Sequence, residues 1–212
     1  MVKIKKFIFN PFQENTFLLY DETNECVVID AGCNDKNEQL ELLTFIEENE
    51  LKLKMILNTH CHIDHIMGNA FLVEKYNVPS IAHKDDLPLL QRSNDMAIAF
   101  GFTIRKPPVP SKYVNHGEII EFGNTSLKVL HVPGHSPGCI AFYCEKDGFI
   151  IVGDVLFAGS IGRTDLPGGD YDTIILSITN HIFSLPGEVI VYPGHGNSTT
   201  VEHEKNTNPY FQ

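Results

Sequence analysis

From Thr59 to His65 the chain reads Thr-His-Cys-His-Ile-Asp-His, and three of its 10 histidines, His60, His62 and His65, fall within six residues. Imidazole is the commonest metal ligand in proteins, and carboxylates suit hard divalent ions. On an extended turn His60 and His62 point the same way and Cys61 the other. Asp64 and His65, at the start of a following helix, then face a second position a few ångströms away. Three downstream segments share one local grammar: a strand, a glycine turn and a single donor. They are His135 in Pro133-Gly134-His135-Ser136-Pro137-Gly138, Asp154 after Ile150-Ile151-Val152-Gly153, and His195 in Pro193-Gly194-His195-Gly196. Taken singly, these read as core histidines and a turn aspartate. The 60–65 cluster changes that reading, because it supplies the site they would complete. Five His and two Asp are enough for two adjacent metal ions with a shared carboxylate and open positions for water. A set poor in thiolate points to a catalytic rather than a structural centre.

The elements that must position these donors follow from periodicity. Val2–Phe9, Thr16–Tyr20 and Cys26–Ile29 read as strands separated by turn residues, an antiparallel meander. Leu40, Leu43, Phe45 and Ile46 give residues 36–48 an amphipathic helical pattern, and Met55–Leu57 a buried strand just before the histidine cluster. Met67–Tyr76 predicts a helix, Ser80–Ala82 a strand, and Asp85–Ala99 a helix weakened near Pro88. The Pro-rich stretch Arg105–Pro110 reads as a surface crossing between two halves. Strands follow at 119–122, 126–132, 139–144 and 149–152, then a helix near 171–183 and a last strand at 189–192. Each half runs strands, helix, strand. Two such halves stacked sheet against sheet predict an α/β four-layer αββα sandwich, with the donors at the carboxyl ends of strands.

Composition narrows the function classes. The chain has 212 residues, 42% hydrophobic and 20% charged, so one domain spanning 1–212 is the default. Its 16 basic and 27 acidic residues give a net charge of −11, which disfavours nucleic acid and anionic membranes as partners. Cys26, Cys33, Cys61, Cys139 and Cys144 form no CxxC pair and read as small apolar residues, which predicts a reducing, cytoplasmic setting. His83, His116, His131, His181 and His203 lack a metal-site context and read as structural or solvated.

In this order, and over essentially the whole chain, the 59–65, 133–138, 153–154 and 193–196 motifs resemble the metallo-β-lactamase-fold superfamily. The resemblance implies a first metal on His60, His62 and His135 and a second on Asp64, His65 and His195. Asp154 would bridge both, with Asp64 and Asp154 the carboxylates closest to the chemistry. Zinc is the first expectation for the two divalent ions, with iron and manganese as alternatives. The loop 159–170 and the tail from Thr199 to Pro209 are similar to short glyoxalase II-like hydrolases and also to persulfide dioxygenases. The first likeness implies hydrolysis of a small-molecule thioester, S-2-hydroxyacylglutathione or similar, by metal-bound hydroxide, since water on such an ion ionises near pH about 7. The alternatives are a mononuclear Fe(II) persulfide dioxygenase and a non-catalytic metal-binding protein. Longer glyoxalase II enzymes carry a C-terminal helical domain that grips glutathione, whereas this chain ends at Gln212. Where those enzymes have a Lys and a Tyr, it offers Arg163 and Asp165. Arg163 is therefore the candidate substrate-binding cation. The competing reading pairs it with Asp165 or Asp170 to pin its loop.

Overall fold

The computed structural model describes residues 1–212. Strands β1 (Lys3–Phe9), β2 (Glu14–Tyr20) and β3 (Glu25–Ile29) form the expected antiparallel meander. Helix α1 (Lys36–Glu48) carries the chain to β4 (Lys52–Leu57), parallel to β3. Asp35 caps α1 by accepting from Asn37 and Glu38 N–H, and Glu38 reaches back to the Asp35 N–H, satisfying donors that have no partner within the helix. Leu42 and Ile46, one turn apart, form its buried stripe. Then come α2 (Asn69–Tyr76), β5 (Ser80–Ala82), two short helices α3 (Leu87–Gln91) and α4 (Ser93–Ala99), and β6 (Lys112–Tyr113), completing a sheet in the order β1-β2-β3-β4-β5-β6.

The second half follows the same plan. Strands β7 (Ile119–Phe122), β8 (Thr125–His131), β9 (Ile140–Cys144) and β10 (Phe149–Gly153) form a second meander. A small hairpin, β11 (Leu156–Phe157) and β12 (Ser160–Ile161), precedes α5 (Tyr171–Ser177), which a π turn extends through Ile178–Ile182. Strand β13 (Ile190–Pro193) returns parallel to β10, flanked by β14 (Thr199–Thr200), and α6 (Val201–Thr207) follows.

Side-chain alternation along the central strands builds the layers. Phe17, Leu19, Val27 and Ile29 face Val129, Phe142, Phe149 and Ile151 between the sheets. Leu18 and Val28, on the opposite face, pack with Leu42, Ile46 and Leu72 of the helices. Ile150 and Val152 likewise pack with Ile174, Ile178 and Ile182. The result is the four-layer αββα sandwich.

Several local readings change. The segment expected as one helix over 85–99 is broken at Arg92 (φ −93°, ψ 3°), and Pro88 lies in the first turn of α3, where its missing N–H costs nothing. The stretch 105–110 does not cross between halves. It leads from α4 to β6, still in the first sheet, and residues 114–118 make the passage. Strands β6, β11, β12 and β14 are two residues long, too short to carry a period.

The loop after β8 is fixed against α5 at one glycine. Gly134 has φ +130°, and a Cβ there would lie 2.3 Å from the backbone nitrogen of Ile174. Its carbonyl accepts from the Asp170 N–H, at the amino-terminal cap of the same helix. Gly134→Ala is expected to cost about 2–4 kcal/mol in urea unfolding, through strain and a displaced helix. Gly117→Ala, also at positive φ but with open space around it, is expected to cost only about 1–2 kcal/mol. Equal losses would show that the close approach to α5 does not matter.

Candidate metal centre

The carboxyl ends of β4, β8, β10 and β13 lie at one end of the sandwich and deliver all seven sequence-predicted donors to one place. Ligand atoms of His60, His62 and His135 fall within 4.8 Å of one another, as do those of Asp64, His65 and His195. Asp154 lies between the two triads. Its Oδ1 is 3.4 Å from His65 Nε2, and its Oδ2 is 3.5 Å from His195 Nε2 and 3.7 Å from His135 Nε2. Asp64 Oδ2 is 3.2 Å from His195 Nε2 and 3.5 Å from His65 Nε2. Donors held tetrahedrally at about 2.1 Å from an ion are about 3.4 Å apart, so these spacings suit coordination.

The orientation of each ring is set behind it. Thr59 Oγ1 donates to Asp30 Oδ2 (2.6 Å), which leaves its lone pair to accept from His60 Nδ1 (3.1 Å). Asp30 Oδ2 also accepts from His65 Nδ1 (3.1 Å), the Arg163 carbonyl from His135 Nδ1 (2.8 Å), and the Phe12 carbonyl from His195 Nδ1 (3.1 Å). With Nδ1 engaged as a donor in each case, Nε2 is the nitrogen turned toward the centre. His62 is the exception, presenting Nδ1 at 2.9 Å from His135 Nε2.

Other supporting residues carried no signal in the sequence reading. Buried Asp86 accepts from Cys61 N–H (2.8 Å), Ser136 Oγ (2.9 Å) and Gly138 N–H (2.6 Å), tying the 60–65 loop to the His135 loop. Asn15 donates to the carbonyls of Gly194, Pro193 and Gly196 and so holds the His195 loop. Asn10 and Asn58 donate to the backbone carbonyls of Asp64 and His65. Each is a lone polar residue at a turn or strand end, and only the assembled fold reveals its partners. Gly194 must be glycine for a different reason: a Cβ would sit 2.2 Å from Asp154 Oδ1.

Of the seven buried side-chain polar atoms without a hydrogen-bond partner, three belong to this donor set: His60 Nε2, His65 Nε2 and Asp154 Oδ1. Such atoms are costly unless something pairs with them, and all three face the position where the donors converge. The residues therefore fit divalent metal ions. Electrostatics agree. Burial holds His60 well below the usual imidazole range and brings His62 down to about 3, keeping both neutral and ready to donate a lone pair. Burial also opposes charge on His65 and His195, but the Asp64 and Asp154 carboxylates outweigh it, raising His65 and pushing His195 up to about 10. Without metal, protons on these two rings neutralise the carboxylates.

The sequence profile of the metallo-β-lactamase superfamily matches residues 9–195. The chain belongs to the metallo-β-lactamase superfamily. It is 36% identical over 202 residues to hydroxyacylglutathione hydrolase GloC of Haemophilus influenzae, covering 94% of this chain and 93% of that protein. The crystal structure of TTHA1623 in a di-iron-bound form superposes with a TM-score of 0.88 at 40% identity, over 97% of this chain and 99% of that one. The BLEG-1 B3 metallo-β-lactamase superposes with a TM-score of 0.91 at 32% identity, over 99% and 100%.

The centre opens into a cleft of about 230 Å³, lined by His62, Asp64, His135, Asp154 and His195. Arg163 lines it, but its guanidinium is engaged by the Asp165 carboxylate, 2.7 Å from Nε and 2.6 Å from Nη2. Asp170 instead caps α5. The Cys61 side chain packs among Ile66, Ala82 and Leu90, and burial pushes its thiol up. All five cysteines are free and buried. His83 and His131 stack with centroids 4.2 Å apart and planes 17° from parallel, near Asp85. An ion lies in the plane of each imidazole it binds, so rings stacked in this way do not converge on one. No helix is long and apolar enough to cross a membrane.

Because His65 and His195 carry protons in the metal-free protein, an ion must displace them. Lower pH favours the protonated rings, so affinity is expected to fall on acidification. Metal uptake near pH 7.5 is expected to release roughly one to two protons per chain. Calorimetry in buffers of different ionisation enthalpy measures this, and heats independent of the buffer would contradict it. Asp86→Ala leaves three donors without their acceptor and is expected to cost about 3 kcal/mol in stability and at least about tenfold in metal affinity, read by competition with a chelator. Unchanged affinity would mean that the two loops hold their geometry without it.

Proposed function

We propose that this metallo-hydrolase cleaves thioesters in the manner of glyoxalase II, converting S-2-hydroxyacylglutathione or a similar small-molecule thioester to a hydroxy acid and a thiol. One observation carries the reading: two complete ligand triads share the Asp154 carboxylate. The 36% identity to a hydroxyacylglutathione hydrolase supports the substrate class.

His60, His62 and His135 would hold one divalent ion and Asp64, His65 and His195 the other, with Asp154 on both. Zinc is the first choice, iron or manganese the others. When bound, such ions supply a water ionised near neutral pH and positive charge for a developing oxyanion. The chain's own part is positional. Asp30, Thr59 and the carbonyls of Phe12 and Arg163 hold the rings, while the apolar side chains of Phe12, Ile63, Leu89 and Leu166 wall the cleft. In the overall reaction the water oxygen bonds to the carbonyl carbon and the carbon–sulfur bond breaks. The departing thiolate has a conjugate acid of pKa about 8.5 and needs little assistance to leave.

Activity is expected to disappear on chelation and return with Zn, Mn or Fe. Asp154→Ala is expected to lower kcat/KM by at least about a hundredfold, because one carboxylate serves both triads. Thioester hydrolysis, oxygen uptake with a persulfide and metal content should be measured on the same preparation. Oxygen consumption on one iron per chain, without thioester turnover, would replace hydrolysis with persulfide oxygenation. Full activity of Asp154→Ala with both metals retained would remove its assigned role.

A further inference from the structure

The cleft over the metal centre has a wall that the hydrolytic chemistry does not require. The α3–α4 segment leans over it and contributes Leu89, Arg92, Met96 and Phe100. Phe12 packs beside this segment, its ring edge-to-face with Phe100 at 5.8 Å between centroids. Phe100 nevertheless remains 50% exposed, an aromatic surface left open at the mouth of a site.

Arg92 sits in the break between the two helices, where its backbone N–H donates to the Pro88 and Leu89 carbonyls. The chain has three arginines. Arg105 is paired with Glu74 and Arg163 with Asp165, but no carboxylate lies within ion-pair distance of Arg92. In a protein of net charge −11, the one arginine without an acidic partner therefore lines the substrate cleft beside an apolar wall. A guanidinium without an internal partner keeps its donor fork for an external carboxylate or phosphate, and its stem extends the apolar surface.

We propose that Arg92, rather than the already paired Arg163, is the anion anchor of this cleft, and that Phe12, Met96 and Phe100 seat an apolar arm on the same ligand. The substrate class is then an amphiphilic thioester, with a carboxylate or phosphate at Arg92 and an aliphatic or aromatic group against the wall. This rests on the thioester reading above for the reacting bond, but the recognition itself is independent of catalysis and can be measured without it.

The test uses full-length, metal-loaded protein and non-hydrolysable thioethers. Binding of S-hexylglutathione, S-methylglutathione and neutral S-hexyl-N-acetylcysteamine is measured by calorimetry. Wild type is expected to bind the hexyl glutathione compound at least about tenfold more tightly than either of the others. Arg92→Gln should abolish the preference for the anionic compound and keep the preference for hexyl over methyl, whereas Met96→Ser/Phe100→Ser should do the reverse. Arg163→Gln should change charge discrimination less than Arg92→Gln does. Metal content of each variant shows whether the centre is intact. Arg92→Gln should likewise move KM for anionic acyl thioesters severalfold more than for neutral ones. Charge discrimination lost in Arg163→Gln but kept in Arg92→Gln would overturn the proposal, as would no preference for hexyl over methyl. Arg92-dependent binding without thioester turnover would sustain this inference while removing hydrolysis. Turnover with no detectable discrimination in binding would do the opposite.

Discussion

Buried polar atoms that converge on one position without hydrogen-bond partners are the constraint on which the rest of this molecule depends. Nε2 of His60 and of His65 and Oδ1 of Asp154 lie inside the protein with no hydrogen-bond partner. Each such atom costs on the order of 1–3 kcal/mol if nothing pairs with it. A chain free to relax would turn the rings over and bond them to backbone. It does not, because the Nδ1 atoms of four rings are already committed, to Thr59, Asp30 and the carbonyls of Arg163 and Phe12. Turning any ring would exchange one unpaired atom for another. The ligand geometry is thus held from behind, by bonds that are satisfied whether or not an ion is present.

Those rear bonds can be held only by a rigid frame. Thr59 and Asp30 follow the ends of adjacent parallel strands, and their registers are fixed by burial on both faces of the sheet, with successive side chains of β3 fully buried in one core or the other. Phe12 belongs to the turn between the first two strands, yet its carbonyl orients His195, 183 residues away. Asp86 plays a comparable part between the 60–65 loop and the His135 loop. Loops that would otherwise be mobile are tied to one another as well as to their own strands, which gives the precision that coordination demands.

What the sequence made legible follows from the same division. The ligands announce themselves because coordination needs particular residue types, and three histidines in six residues have no packing explanation. The sandwich was legible because half-buried strands alternate and covered ones run apolar. Asp86, Asn15 and Asn10 were illegible because a single polar residue near a turn looks like any other until its partner, dozens of residues away, is brought beside it. The break at Arg92 was hidden as well. Leu87 to Ala99 keeps helical composition across it, and Pro88, which reads as a weak point within a helix, is in fact part of its first turn. Arg163 shows a further limit, since the resemblance offered it for substrate but the sequence could not choose between substrate and Asp165 as its partner, and the fold pairs it with Asp165 at the edge of the cleft.

The distribution of ligands between the halves has an energetic consequence of its own. His60, His62, Asp64 and His65 come from the first half, and His135, Asp154 and His195 from the second. Each triad draws on both: His60 and His62 are completed by His135, Asp64 and His65 by His195. Neither of these two triads lies within one half, so an ion seated in either would join the two sheets across the open end of the sandwich. An ion that binds the folded chain in preference to the unfolded one adds stability that grows with the logarithm of its concentration over its dissociation constant. Because the two triads meet only when the sheets are stacked, that stabilisation acts on the docking of the halves rather than on either alone. The apolar contacts between the sheets and the metal centre at their rim thus depend on the same arrangement, and the unpartnered polar atoms are tolerated because the inter-sheet core holds them in place.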